Sequence, residues 1–137
     1  MIQLFRWFEK NYLFSLAIAV LIAVFIFYMS AQSFSGYPGG FGINAKIYHI
    51  GIFFLLSGFI LVTLVRGKKN KTTPILFALA ILTATLYGCS DEIHQFFVPG
   101  RNCRAIDIFI NFIGVSFAGM VYAVRLNLRE KIKKPKK

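Results

Sequence analysis

The chain has 137 residues, 57% of them apolar, with a mean hydropathy of +0.65 and sixteen basic residues against five acidic ones. A single domain of this length has too much apolar surface for a soluble core to bury, so the composition excludes an ordinary soluble protein and points to an integral membrane one. The net charge of +11 comes with no aromatic interleaving and no binding motif, which excludes nucleic acid as a partner.

Residues 1–10 are basic and lead into an apolar run at 12–29. That run is longer than the roughly 7 to 15 residues of a signal-peptide core, and no small-residue cleavage site follows it, so it reads as a retained first helix. Its far end carries Ser30, Gln32 and Ser33, and a turn-rich, uncharged loop then places Phe34, Tyr37 and Phe41 at the membrane interface.

The second apolar run covers 47–65 and opens on Lys46 and His49, whose helical face continues through Phe53, Leu56 and Ile60. The third covers 74–96. It is short before Asp91 and needs Ile93, Phe96 and Phe97 to carry the helix onward. Along it Ile81, Thr85, Gly88, Glu92 and Gln95 form a stripe whose small members allow close helix approach, which turns Glu92 into the bundle. Pro99 and Gly100 then end the helix.

The fourth run, 105–124, shows the stripe Arg104, Asp107, Asn111, Gly114 and Ala118, polar at one end and small at the other. A basic tail, 125–137, follows and is suited to anionic lipid headgroups. Thirteen of the sixteen basic residues lie before the first run, between the second and third, or after the fourth. The four apolar runs and this asymmetry predict a single-domain, all-α, four-helix transmembrane bundle with both termini cytoplasmic.

Three of the five acidic residues lie between Tyr87 and Gly114, on the predicted outer side. Polar groups at the ends of apolar spans need partners or water, since an unpaired one in hydrocarbon costs several kcal/mol. Lys46 and His49 from one span, Asp91, Glu92 and His94 from another, and Arg104 and Asp107 from the last are thereby expected at one membrane depth. One reading is an ion-pair cluster that fixes helix register, pairing Glu92 with Arg101 or Arg104 and Asp107 with Lys46. Another gives them function, the default for intramembrane charges.

In the functional reading Lys46, Arg101 and Arg104 hold an anionic headgroup, with Gln95, Asp107 and Asn111 completing the binding set. Glu92, helped by His49 and Asp91, supplies a general acid or base if a bond is broken. The DEIH segment lacks the paired histidines of HExxH zinc sites, and neither a metal nor a cofactor is expected. Cys89 and Cys103 flank the polar stretch, either as a disulfide or as two small packing residues.

The segments KIYHIGIFFLLSG and YGCSDEIHQFFVPGRNCRAIDIFINFIGVSFAG resemble the two signature blocks of the VanZ-like family of bacterial membrane proteins. The resemblance covers nearly the whole chain, and the positions matching its motif are Lys46, His49, Asp91, Glu92, Gln95, Arg101, Asp107 and Asn111. Members often carry an acidic residue just before the lysine, where this chain has Ala45. The resemblance implies a bacterial plasma-membrane location and a role in resistance to teicoplanin or more broadly in the cell envelope. Together with the anion-binding reading of the cluster, the leading expectation is recognition of a lipid-linked or lipidated anionic envelope molecule, with a lipid-linked envelope precursor as a candidate partner. A membrane enzyme acting on a lipid phosphate headgroup and a non-catalytic accessory protein are the other two expectations.

Overall fold

A computed structural model describes residues 2–33, 42–101 and 104–133. The described chain is helical throughout: α1 (Ile2–Lys10), α2 (Tyr12–Ser30), α3 (Gly42–Val65), α4 (Thr73–Phe96) and α5 (Ala105–Lys133). The expected interfacial loop with Phe34, Tyr37 and Phe41, and Cys103, lie outside the described residues.

Helices α2 to α5 are each long and apolar enough to cross a membrane, over Tyr12–Ser30, Asn44–Val65, Thr73–Phe96 and Ala105–Ile132. Large apolar side chains such as Leu21, Leu86, Phe109 and Met120 stay exposed on the bundle surface, the arrangement required when the solvent is lipid. Ile93, Phe96 and Phe97 do carry α4 past its acidic pair, and all three face outward.

Helix α3 packs against all four of the others and most extensively against α5. Its closest approach to α5 is at Gly114, where an added Cβ would overlap the Ile50 carbonyl oxygen and stand 3.1 Å from the Phe54 amide nitrogen. Gly88 on α4 leaves room in the same way for Phe53 and Asn111. Small residues at these crossings let the backbones meet, as helix association in lipid requires. Two apolar clusters fill the interior. Ala19, Ile26, Phe53, Leu56, Ala84 and Val115 form one, and Leu61, Val62, Val65, Ala80, Ala118, Tyr122 and Leu126 the other.

Two features depart from the sequence reading. Residues 2–10 form a separate helix, with Asn11 between it and the first span. The helix that carries the expected fourth span, 105–124, continues to Lys133, because Leu126 stays buried against the core and the residues after it are good helix formers.

Candidate functional site

The two ends of the bundle differ chemically. At one end the last turn of α2, the first turns of α3 and α5, and the last turns of α4 come together. Ser30 Oγ donates to Asp91 Oδ1 at 2.5 Å, joining α2 to α4. His49 Nδ1 lies 2.8 Å from Asn111 Oδ1, joining α3 to α5. Gln95 connects the acidic residues: its Nε2 donates to Asp91 Oδ2 at 3.0 Å and to Glu92 Oε1 at 3.3 Å, and lies 3.4 Å from Ser30 Oγ.

Asp91, Glu92, Gln95 and Asn111 are all buried, Glu92 completely. Such burial is tolerable only with partners, and the partnering is uneven. Both Asp91 oxygens are bonded, whereas Glu92 Oε2, Asn111 Nδ2 and Tyr48 Oη have no hydrogen-bonding partner among the described residues. Asp107 and Arg101 lie within electrostatic range of Glu92, and the Arg104 main-chain amide faces it.

A cavity of about 210 Å³ opens at this end. Ser30, Tyr48, His49, Asp91 and Arg101 form its polar wall, and Ile26, Met29 and Phe53 are among its apolar members. Ala45 also lines it, so α3 contributes a methyl group where the family resemblance leads one to expect a neighbouring carboxylate.

The structure brings most of the expected site residues together and separates some. His49, Asp91 and Arg101 line the cavity. Gln95, Glu92 and Asn111 stand behind it as a buried hydrogen-bonded layer. Lys46 and Arg104 are exposed side chains outside the lining, and Asp107 is half-buried. Lys46 and Asp107, paired in the register reading, form no ion pair among the described residues. His94 stacks on Phe27 of α2, ring centroids 4.4 Å apart. Cys89 is half-buried.

Tyr48 was not anticipated. It packs edge-on against His49, ring centroids 5.7 Å apart, and presents a buried hydroxyl. Its signal was the spacing of Ala45, Tyr48 and His49, which places all three on one helical face. Among the described residues no group of three or more His, Cys, Asp or Glu side chains converges as metal ligands.

The opposite end is organised by Glu9, which is buried although it belongs to the short first helix. Its carboxylate accepts from Arg125 Nη1, from Arg129 Nη1 at 3.0 Å and from Tyr122 Oη at 3.2 Å. Arg129 also donates to the Gly67 carbonyl at 2.9 Å, and the Gly67 amide donates to Tyr122 Oη at 3.0 Å. One carboxylate thus ties α1 to α5 and to the turn between α3 and α4.

No curated protein and no solved structure matches the chain. A family model described as VanZ/LLP1 matches residues 11–126, which include every residue lining the cavity at the polar end. The resemblance carried by the two sequence blocks is thereby borne out: this multi-pass membrane protein belongs to the VanZ/LLP1 family.

Proposed function

We propose that the chain is a bacterial plasma-membrane protein whose polar cavity faces the outside and holds the anionic head of a lipid-linked or lipidated envelope molecule, lowering susceptibility to teicoplanin-type glycopeptides. The observation that carries this reading is the division of labour at the cavity wall. Asp91 is engaged by Ser30 and Gln95, and the same wall carries a guanidinium, Arg101, beside the Tyr48 hydroxyl and the His49 ring. A guanidinium beside neutral donors suits a phosphate or carboxylate head. Pockets for drug-sized ligands run to about 300 Å³ and more, so a cavity of about 210 Å³ takes a headgroup and leaves the chains of the molecule along the exposed helix faces.

The placement of Glu92 favours recognition over catalysis. A general acid or base must come within hydrogen-bond reach of the reacting proton, and Glu92 is fully buried, behind the lining residues. The distribution of basic residues supports the orientation, since the ends carrying Arg6, Arg66, Lys68, Lys69 and Arg125 are retained on the cytoplasmic side by the positive-inside rule.

The test is the teicoplanin susceptibility of a sensitive host expressing wild type, Arg101→Gln or Glu92→Gln at matched membrane abundance. Losing a charge-assisted bond costs about 1.5–3 kcal/mol, roughly one to two decades in affinity, so Arg101→Gln is expected to remove most of the protection. Glu92→Gln keeps the oxygen that accepts from Gln95 and is expected to retain it. Loss with Glu92→Gln alone, together with turnover of a lipid phosphate by purified membranes, would establish an enzyme instead. Protection unaffected by either change would leave the cavity without a role.

A further inference from the structure

A second recess lies at the basic end, on the far side of the bundle from the polar cavity. It is a groove of about 230 Å³ between α1 and α5. Phe5, Val121, Val124, Leu128 and Ile132 give it apolar walls, and Arg6, Arg125 and Arg129 stand along it. The α5 members recur at spacings of three and four, so the groove follows one face of that helix. Its aliphatic side chains are exposed: Val124 by 52% and Leu128 by 54%.

The charges along the groove do not balance. The groove lining carries these three guanidiniums and no acid, and Glu9 accepts from two of them. Arg125 and Arg129 each commit Nη1 to Glu9, Arg125 also lies over the Phe5 ring, 4.7 Å from its centroid, and the Nε atom of each has no hydrogen-bonding partner among the described residues. Arg6 is exposed and forms no hydrogen bond or ion pair among the described residues. Lys69 bonds Glu130 and Asn127 and Arg66 lies over the Tyr12 ring, while Lys10, Lys68 and Lys71 are exposed outside the groove lining. What distinguishes the groove is that its three guanidiniums stand directly beside an apolar track that leads into the membrane span.

We propose that this groove is a binding site for one anionic phospholipid, its phosphate against Arg6 and Arg125 and an acyl chain along Val121, Val124 and Leu128. The charge selects this occupant. A second copy of the chain would bring the same positive groove face to face with itself, and the Lys-rich C-terminal residues are repelled by the same guanidiniums. A zwitterionic lipid offers the same chain but no net charge to match. The site differs from the diffuse attraction of a polybasic tail in requiring both the apolar track and particular arginines. It is also independent of whatever the polar cavity binds.

Trp7 is the only tryptophan of the chain. It follows Arg6 on α1, about half exposed and packed against Phe8 and Phe14 rather than in the groove lining, and its adjacency to Arg6 makes it a proximity reporter for a brominated lipid held at that guanidinium. The full-length protein is reconstituted into phosphatidylcholine vesicles containing a small fraction of lipid with brominated chains, either phosphatidylglycerol or phosphatidylcholine. Brominated phosphatidylglycerol is expected to quench Trp7 more strongly than brominated phosphatidylcholine at equal mole fraction. Arg6→Gln should lower the relative association of the anionic lipid by about fivefold. Val124→Phe, which fills the groove without altering charge, should remove the excess quenching. Both side chains are exposed and lie outside the Glu9 cluster, so both variants fold.

Equal quenching by the two lipids would overturn the proposal. So would equal losses from Arg6→Gln and from Lys131→Gln, an exposed lysine away from the groove, or a preference untouched by Val124→Phe, because both outcomes describe non-specific attraction to a charged surface.

Discussion

Glu9 and Glu92 are both buried glutamates, and their neighbours give them different work. Glu9 meets two guanidiniums and a phenol, whereas Glu92 accepts from the Gln95 carboxamide and its Oε2 has no side-chain partner among the described residues. Removing one partner of a buried ion pair strands the other charge and costs about 3–5 kcal/mol. Glu9→Gln should therefore destabilise the protein by about 3 kcal/mol in detergent, read from thermal unfolding. Glu130→Gln is the contrast, because its partner Lys69 is 44% exposed in the side chain and Glu130 41%. An exposed pair is worth about 0.2–1 kcal/mol, and the melting curve should barely move. Equal shifts would mean that the Glu9 cluster does not hold the first helix.

The residues of that cluster were only partly legible. Glu9 is not singled out by any motif or periodicity, although it is the only acidic residue before the first span. Tyr122, Arg125 and Arg129 share one face of α5 by their spacing, but reading positions 125–137 as a tail concealed it.

At the scale of elements, the stripes of small and polar residues predicted the interior faces well. Phe53, Leu56, Gly88, Glu92, Gln95, Asn111, Gly114 and Ala118 are buried, because in lipid the buried side of a helix is the one that carries the small and polar groups. Lys46 and Arg104 lie on the same stripes at their ends and are exposed; a periodic pattern does not show where the bundle ends and water begins. Which particular side chains bond, such as Ser30 with Asp91 or His49 with Asn111, depends on helix rotation, which hydropathy does not encode.

The α3–α5 crossing depends on Gly114. Gly114→Val would drive a branched side chain into the Ile50 carbonyl and the Phe54 amide. Backbone cannot yield as a flexible side chain can, so overpacking of about 1–3 kcal/mol is expected, together with looser pairing of His49 with Asn111 one turn away. Gly114→Val that unfolds at the wild-type temperature would show that the two helices do not meet there.

On the scale of the whole molecule, the protein is a bundle with two unlike ends: a polar cavity closed by a buried hydrogen-bonded layer, and a basic end clamped by Glu9. The proposed function requires the cavity to face outward, and the proposed lipid site requires the groove to face inward. Both conditions rest on one orientation, which sequence charge predicts and which can be measured in intact cells.

The most direct test uses a background in which Cys89 and Cys103 are replaced by Ala, with a single new cysteine at Ala45→Cys on the cavity wall or at Lys68→Cys in the turn between α3 and α4. A membrane-impermeant maleimide is added to whole cells, and again after the membrane is opened. The account predicts that Ala45→Cys is labelled in intact cells, that Arg101→Gln does not block its labelling, and that Lys68→Cys reacts only after opening. Labelling of Lys68→Cys in intact cells with Ala45→Cys protected would invert the bundle and contradict an outward-facing cavity.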